Sequence, residues 1–419
     1  MIAGSSRACG VANKAPHALP CNRRFTAGLL AKCAAAILLI PAGCMTPTTG
    51  NSAPIARTTP HGHFAAANNA PAPAPQPTVA PSATDSTTSA AVPTTPVATP
   101  ATEPSMPTTI LTVSPDGKSQ YTTIQSAIAA AETGSPTHAV IIQIAAGTYR
   151  EVLYVQREKR FLKLVGAGPD KTIVTYDLYA GLPGLDSKPI GTFRTPTMQV
   201  DADDFTAESM TFQNTAGAVG QALALRIDGD RDAFHNCKFT GWQDTIFDNR
   251  GRHLYQNCDI SGCVDFIFGG GISFFDHCQI HCLGAGYITA ASTPQEVPYG
   301  FVFDHCTIDS NSLASDSASA STTTKSYLGR PWRDYASVLF MNTQMSDVIP
   351  PEGWHDWNKE HRSQTARFAE YQSTGPGGNP SGRVPWSHQL TDAQAAAVTI
   401  SSVLSGADGW IPTNNFTTP

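Results

Sequence analysis

The sequence predicts an all-β fold, a right-handed parallel β-helix solenoid with short capping helices at both ends. Its main signature is a repeated pattern of two polar residues, a cysteine, a polar residue and an apolar residue. The four copies place cysteines 21, 20 and 28 residues apart, at Cys237, Cys258, Cys278 and Cys306. Periods of about 20 residues with short β-runs are typical of solenoids, in which each repeat is one coil. Few helical patterns interrupt residues 140–345, which favours a β-helix over a leucine-rich horseshoe.

Helical patterns occur where a solenoid needs its open ends covered. In residues 121–132, apolar side chains recur at helical spacing, and these are Ile124, Ala127, Ile128 and Ala131. Near the C-terminus, the run from Thr391 to Gln394 predicts a capping box that opens a helix ending at Leu404. We therefore expect one helical cover over each end of the stack.

The first 44 residues are typical of an export signal. Residues 1–43 carry five basic side chains and no acidic one, and residues 33–43 are wholly apolar or small. The apolar run is too short for a membrane span. The two small residues before Cys44 resemble a bacterial lipobox, although Pro41 stands where that pattern usually has leucine. We expect lipidation at Cys44, with a plain secretory signal and an incidental cysteine as the alternative.

The remaining chain divides into two segments of different composition. Residues 45–108 are dominated by proline, alanine, threonine and serine, with only three charged side chains. Such a stretch cannot bury enough apolar surface to offset its ordering entropy. We interpret it as a disordered linker that separates the signal from a folded domain at residues 109–419. The predicted destination is the outer membrane, as a lipoprotein, or the extracellular medium.

The predicted folded domain is acidic. It contains 21 lysine and arginine residues against 31 aspartate and glutamate residues, a net charge near −10. Nucleic acid is disfavoured as a partner, because its phosphates require a basic surface. A polyanion held by bulk electrostatics is disfavoured for the same reason, and a neutral or partly neutralised substrate fits better.

Two aspartates are the strongest candidates for chemistry. Asp244 lies in the motif Gln243-Asp244-Thr245. Asp265 lies 21 positions later, within the motif at residues 262–269, and the other residues of 264–268 are apolar. Since 21 residues make one coil of the predicted stack, the two carboxyl groups should lie side by side. An adjacent pair of carboxyl groups can divide the roles of acid and nucleophile.

The surroundings of the two aspartates predict different protonation states. A buried Asp265 needs a partner, and Arg330, in a Gly-Arg-Pro-Trp turn, can supply a fixed fork of donors that keeps it ionised. Asp244 has no cation nearby in sequence, so we expect repulsion from ionised Asp265 to raise its pKa and keep it protonated. The alternatives are a turn or ladder aspartate at 265 and a solvated loop aspartate at 244.

Amide and aromatic side chains near the aspartates are candidates for substrate contact. Gln221 and Gln243 each carry an NH₂ group that can meet negative charge developing on a substrate oxygen. A lone glutamine in a strand is more often a surface or ladder residue. Phe247, Phe268 and Trp332 can offer flat surfaces to the apolar faces of a sugar, although an aromatic residue in a β-helix is more often part of the core.

Five motifs occur in one order along the domain, at residues 147–151, 221–225, 243–245, 262–269 and 328–332. This set resembles the ordered motifs of the pectin methylesterase (pectinesterase) family, of bacterial type, over about residues 115–410. The resemblance implies hydrolysis of methyl esters of polygalacturonan in plant cell-wall degradation, without a cofactor, and we expect a monomer. Two alternatives remain: an esterase or thioesterase of another substrate on the same scaffold, and a non-catalytic surface carbohydrate-binding module.

The resemblance also implies residue roles. Asp265 corresponds to the family's nucleophile, Arg330 to the partner of that nucleophile, and Asp244 to the acid/base. Thr192 corresponds loosely to a threonine that contacts substrate. The family more often has tyrosine than phenylalanine at the position of Phe247.

The cysteine column leaves two possibilities open. Export permits oxidation, and the family resemblance favours a disulfide between Cys258 and Cys278. The alternative is a ladder of free, buried thiols.

Other motifs that suggest chemistry are weaker. Histidines and cysteines in residues 277–282 superficially resemble a zinc site, but on a strand the two residue types face opposite sides. The acidic run at 201–204 could suggest calcium, although such runs are usually turns. We therefore expect no metal site. A Gly-x-Ser-x-Gly elbow is missing from the sequence, so an α/β-hydrolase serine esterase is not supported.

Overall fold

The computed structural model describes residues 107–310 and 325–411. The predicted export signal with Cys44, and the predicted linker up to residue 106, lie outside the described residues. In the two described ranges, no helix is long and apolar enough to cross a membrane.

Short β-strands make up most of the regular structure in the described ranges. Their bounds in chain order are β1 (Thr108–Val113), β2 (Ala139–Ile144), β3 (Gly147–Tyr149), β4 (Leu153–Val155), β5 (Leu162–Gly166), β6 (Thr172–Tyr176), β7 (Met198–Val200), β8 (Thr206–Glu208), β9 (Thr211–Asn214), β10 (Leu225–Ile227), β11 (Asp232–His235), β12 (Lys238–Thr240), β13 (Ile246–Asp248), β14 (Arg252–Gln256), β15 (Asp259–Gly269), β16 (Ile272–Asp276), β17 (Gln279–Ala291), β18 (Phe301–Asp304), β19 (Thr307–Asp309), β20 (Ser326–Gly329), β21 (Ser337–Met341), β22 (Gln344–Met345), β23 (Arg367–Tyr371) and β24 (His388–Gln389).

These strands stack into three faces of a parallel β-helix, as predicted. The first face has the order β1-β2-β5-β8-β11-β14-β16-β18-β21-β23-β24. The second runs β3-β6-β9-β12-β15-β17-β19-β22, and the third runs β4-β7-β10-β13-β15-β17-β20. Neighbouring strands pair in parallel and in register. The long strands β15 and β17 bend across the second and third faces, so they connect the two at the centre of the stack.

The interior of the stack is filled by similar side chains on successive coils. Five fully buried aromatic rings, one per coil, stack with centroid separations of 4.4–5.0 Å, and they are Phe234, Tyr255, Phe275, Phe303 and Phe340. This separation is close to the spacing of about 4.8 Å between hydrogen-bonded strands. In-register pairing of the strands therefore sets the spacing of the core.

The repeated cysteines form a column, as predicted, but the column contains no disulfide. Cys258 and Cys278 are free and buried, so the structure does not contain the bridge that the family resemblance implies. In-register side chains on parallel neighbours point the same way about 4.8 Å apart, whereas a disulfide needs converging Cβ atoms about 3.8 Å apart. The Cys278 thiol instead lies 3.4 Å from the carbonyl oxygen of Tyr255 and 3.6 Å from that of Asp276.

We expect thiol counting under denaturing, non-reducing conditions to find Cys258 and Cys278 both reactive. Burial raises the pKa of the Cys278 thiol, so native protein at neutral pH should react far more slowly with an alkylating reagent than denatured protein. Peptide mapping is the measurement, and a Cys258 peptide joined to a Cys278 peptide before reduction would contradict the structure.

The front of the stack is covered by a helix, as expected. Helix α1 (Ile124–Ala130) buries Ile124, Ala127 and Ile128 against the core. Its N-cap is Thr123, whose side chain accepts a hydrogen bond from the backbone N–H of Ser126. The other helical segments are α2 (Glu360–Ser363), α3 (Asp392–Ala396), α4 (Ile400–Val403) and single 3₁₀ turns at Thr192–Arg194, Pro376–Gly378, Pro380–Gly382 and Gly406–Asp408.

The C-terminal helical segment differs from the expected single cover. The predicted capping box at Thr391 is present, but Thr399 forms a second one and begins a separate helix, α4. Both helices pack on the outer side of the first face, where Leu254, Phe274 and Val302 form an apolar surface. At the back of the stack the core continues instead into aromatic contacts of Phe368 with Trp354, at 4.6 Å, and Trp386, at 5.7 Å.

Candidate active site

The two candidate aspartates lie on neighbouring coils, where the backbone departs from regular pairing. Against β17, strand β15 shifts register between Gly262 and Val264 and again between Val264 and Ile267. Asp265 lies in this stretch with φ +50°, and Asp244 has φ +63°. Such left-handed conformations cost free energy for a side chain with a Cβ and cluster at functional sites. The backbone N–H of Asp244 donates to the carbonyl oxygen of Val264 at 3.0 Å, which stacks the two coils directly.

Arg330 grips Asp265 at two points. Nε donates to Oδ1 at 2.8 Å and Nη2 donates to Oδ2 at 2.7 Å, the two-point geometry that makes arginine–carboxylate pairs strong. Burial raises the pKa of Asp265, and the hydrogen bonds and charge of Arg330 oppose that rise. The predicted partnership is therefore present, and it works against desolvation of the carboxylate.

Asp244 has a much higher pKa than an ordinary carboxyl group. Burial is the main cause, the negative charge of Asp265 adds to it, and Arg330 opposes it, with the result that the pKa rises to about 8. The predicted direction is confirmed. The main cause differs from the one expected, because desolvation outweighs repulsion from Asp265. At neutral pH Asp244 is therefore a neutral acid that can donate a proton.

The two glutamines belong to one row of residues that crosses successive coils. Parallel bridges join Gln221 to Gln243 and Gln243 to Val264, and the register continues through Tyr287 on β17 to Tyr327 on β20. Both glutamine side chains reach the same cavity as the aspartates. Among the described residues neither side-chain amide has a hydrogen-bonding partner, so both NH₂ groups are free to meet a ligand.

A cavity of about 250 Å³ collects the predicted residues on the third face. Thr192, loosely matched in the sequence, is among them. The lining residues are Thr192, Phe193, Gln221, Gln243, Asp244, Asp265, Phe268, Ala290, Arg330, Trp332 and Trp357. The cavity therefore combines acid and amide side chains with aromatic rings.

Phe247 is the predicted contact residue that does not line this cavity. It points outward from β13, but Phe193, Phe268 and Trp332 lie over it with ring-centroid distances of 5.3, 4.6 and 6.3 Å. Only 2% of its surface is exposed. Phe247 therefore supports the aromatic wall from behind, and the expected direct contact with substrate stays a prediction.

Sequence reasoning missed three aromatic residues at the site. Phe193 is 54% exposed at the cavity's rim, and Trp357 lines the cavity from a loop 27 positions after Arg330. Tyr287 contacts Arg330 from the side of β17. Tyr287 could have been found by following the row of Gln221 and Gln243 two coils further, through Val264. Trp357, by contrast, lies in a loop with no repeat pattern.

The weaker sequence motifs have structural partners instead of metal geometry. Nδ1 of His281 lies 2.6 Å from a carboxylate oxygen of Asp309, while Cys278 and Cys282 face the core. In the acidic run, Asp204 pairs with Arg231 at 2.6 Å. Within the described ranges, no three histidine, cysteine, aspartate or glutamate residues converge as metal ligands would.

Comparison with known proteins supports the family that the five sequence motifs indicate. The profile of the family described as Pectinesterase matches residues 110–407, which is more than half of the chain. The chain belongs to the pectinesterase family. As a pectinesterase it is a carboxylic ester hydrolase that acts on the methyl esters of pectin. This favours the esterase interpretation over a non-catalytic binding module.

Curated relatives of this chain include plant proteins. Pectinesterase 31 of Arabidopsis thaliana is 38% identical over 69% of this chain and 90% of its own length. A pectinesterase/pectinesterase inhibitor of Brassica campestris is 36% identical over 73% of this chain, which spans 53% of that protein. The expectation of a bacterial type therefore has no support among these relatives.

Solved structures from plants and bacteria share the fold. Pectin methylesterase from carrot matches with a TM-score of 0.66 and 34% identity, covering 72% of this chain and 94% of the carrot chain. Pectin methylesterase PemA from Erwinia chrysanthemi matches with a TM-score of 0.59 and 31% identity, covering 70% of this chain and 96% of the PemA chain. The pectinesterase described above is accordingly a right-handed parallel β-helix.

Proposed function

We propose that this pectinesterase removes methyl groups from polygalacturonan through a covalent intermediate on Asp265. The Asp265 carboxylate attacks the ester carbonyl carbon, and the NH₂ groups of Gln221 and Gln243 stabilise the oxyanion that forms. Asp244 donates its proton to the leaving methoxide, which departs as methanol and leaves an anhydride with Asp265. The resulting Asp244 carboxylate then takes a proton from water as that water attacks the substrate carbonyl carbon. Asp265 leaves as a carboxylate, and the product is a free acid.

The observation that carries this proposal is the difference between two neighbouring carboxyl groups. Asp265 is held by a two-point contact with Arg330, while the pKa of Asp244 rises to about 8. One group is therefore suited to act as nucleophile and the other as acid, and every step uses side chains of the chain itself.

The cavity wall fits a sugar ester. Phe268, Trp332 and Trp357 line the cavity, and aromatic rings can pack against the apolar faces of a uronate ring. Thr192 and Phe193 lie at the same cavity. The acidic domain suits an esterified chain, which carries less charge than the product.

The test is simultaneous measurement of methanol and new carboxylate groups from methylated pectin. We expect the two to appear in equal amounts, and a thioester or an acetyl ester of similar size to be a poor substrate. A folded protein that releases no methanol would contradict the proposed function. Size-exclusion chromatography with light scattering tests the expected monomer in the same preparation.

The proposed location rests on the N-terminal sequence. Arg23 and Arg24 precede the apolar run, Cys44 follows two small residues, and the low-charge linker comes next. We expect the exported enzyme to be attached to the outer membrane through lipidated Cys44, with the linker letting the catalytic domain stand clear of the membrane. Stable attachment requires more than one acyl chain.

Replacing Cys44 by serine should move the enzyme out of the membrane fraction or block its processing. Methanol release per folded molecule should stay unchanged, because Cys44 is far from the catalytic motifs in sequence. Fractionation with intact-mass measurement is the test. A wild-type protein found only in the medium, with an N-terminus other than Cys44, would exclude the anchor and leave the esterase assignment intact.

A further inference from the structure

Arg330, the cation that holds Asp265, is enclosed by aromatic rings on both faces. Its guanidinium carbon lies 3.8 Å from the ring centroid of Tyr287 and 3.7 Å from that of Trp357. Both distances are well inside the range of about 6 Å for cation–π attraction. We propose that Tyr287 and Trp357 are positioning residues that clamp the guanidinium in the plane from which Nε and Nη2 reach Asp265. This inference rests on the proposed role of Asp265 as the nucleophile.

The strand register places Tyr287 in the clamp. Tyr287 pairs with Val264, the residue before Asp265, and with Tyr327 one coil further. The rings of Tyr287 and Tyr327 stack with centroids 5.6 Å apart and planes 16° apart. One face of Arg330 therefore meets a ring that is supported by its neighbour in the stack.

The loop between β22 and α2 places Trp357 in the clamp. Trp357 has φ +63°, a conformation that a bulky residue adopts only when its surroundings hold it there. Its backbone N–H donates to Nδ1 of His355 at 2.9 Å, and the backbone N–H of His355 donates to the carbonyl oxygen of Gly329 at 3.1 Å. Since Gly329 precedes Arg330, the loop with Trp357 is tied to the residue next to the guanidinium it covers.

His355 connects the two sides of the clamp. Its ring meets Tyr287 edge-on at 5.5 Å and Tyr327 edge-on at 5.4 Å. The same residue thus orients the backbone of Trp357 and packs against the rings behind Arg330. The two sides of the clamp form one packed unit, not two independent contacts.

The clamp matters because arginine can bind a carboxylate in more than one way. The guanidinium presents one edge with Nε and Nη2 and another with Nη1 and Nη2, and its long side chain can rotate between them. Rings on both faces restrict that rotation and keep water from the faces, which strengthens the ion pair. The charged groups facing Asp265 are Arg330 and, after proton loss, Asp244. A loosened Arg330 would let burial raise the pKa of Asp265 further and reduce its ionised fraction.

Tyr287 gives the cleaner test, because it contacts Arg330 but is not among the cavity-lining residues, whereas Trp357 is. We expect Tyr287→Leu to lower kcat by about tenfold to thirtyfold, in line with a desolvated cation–π contact. KM should change little, and the acidic limb of the pH profile should move to higher pH. Tyr287→Phe keeps the ring and should behave like wild type. Tyr287→Met keeps the volume without a flat ring, and it serves as the second variant if Tyr287→Leu fails to fold.

A matched control is Tyr154→Leu, since Tyr154 is a half-exposed tyrosine on β4 of the same face and hydrogen-bonds Asp201. It should leave kcat and the pH profile unchanged. A folded Tyr287→Leu or Tyr287→Met enzyme with wild-type kcat and acidic limb would overturn the clamp. Arg330→Lys, measured alongside, should lose most activity; a lysine variant near wild type would instead refute the proposed role of Arg330, so the two failures are distinguishable.

Discussion

Replacing Asp265 by alanine is expected to abolish methanol release while leaving the β-helix folded. The carboxylate forms the covalent bond to substrate in the proposed mechanism, and among the described residues that line the cavity it is the only carboxyl group held by an arginine. Loss of a nucleophile in other hydrolases costs on the order of 10⁴-fold or more. Initial rates of methanol release, with circular dichroism of the variant, measure the effect.

A matched control lies on the same strand. Asp259 is the first residue of β15, in the part of the strand that belongs to the second face, and its carboxylate lies 3.5 Å from Nζ of Lys238. Asp259→Ala should keep wild-type kcat, although it removes a partly exposed ion pair and can lower stability slightly. If the rate of methanol release by Asp265→Ala stays within about tenfold of the wild-type rate, equivalent to ~1.4 kcal/mol of barrier, Asp265 is not the nucleophile.

Asparagine at position 244 is expected to lower kcat by about 10²- to 10⁴-fold, the range typical of a lost general acid/base. In the wild-type enzyme the acid form of Asp244 is active, and its pKa is raised to about 8. The kcat/KM of the free enzyme should therefore fall as pH rises through about 8. The residual activity of Asp244→Asn should lack that alkaline limb. If the variant keeps the same alkaline limb, that limb belongs to the titration of another group.

The same substitution should stabilise the fold. In the unfolded chain Asp244 ionises above about pH 4, whereas in the folded chain it keeps its proton until about pH 8. Folding thus takes up a proton in this window, and the stability that this group contributes at low pH is lost as pH rises through the folded pKa. The gain in melting temperature of Asp244→Asn over wild type should grow from about pH 4 to about pH 8 and then level off. A constant or negative difference would show that Asp244 is not protonated in the fold.

The catalytic pair could be predicted because it follows the repeat. The cysteine spacing fixed the length of a coil, and Asp244 and Asp265 lie one coil apart, so in-register stacking brings them together. The contact with Arg330 was also predictable, because a buried carboxylate needs a partner and the Gly-Arg-Pro-Trp turn offers one. These inferences required only the period and the chemistry of the side chains.

Other features depend on contacts between segments without a common period. Phe247 faces outward, as alternation predicts, but the rings of Phe193 and Trp332 arrive from separate loops and cover it. Burial dominates the pKa of Asp244, and sequence spacing does not show how much solvent the surrounding loops exclude.

The position of the C-terminal helices is indicated by the apolar pattern of the strands that they cover. Strands of the first face, such as β18 and β21, are apolar on consecutive residues. Strands with both sides apolar are typically covered on both faces of their sheet. The outer face of this sheet therefore needed a cover, and α3 and α4 supply it.

The spacing of the core rings, 4.4–5.0 Å per coil, has a consequence for how this enzyme tolerates mutation. The acid and the nucleophile sit on adjacent coils, so the backbone pitch sets their separation, and most single replacements in the core should alter stability before they alter that distance. A one-residue insertion or deletion between Asp244 and Asp265 would instead reverse the side-chain alternation downstream and turn one carboxyl group away from the cavity. By contrast, the step from Cys278 to Cys306 is 28 residues long, and the strands on either side still pair in register. Natural insertions and deletions should therefore be common between Cys278 and Cys306 and rare in the coil that joins Asp244 to Asp265.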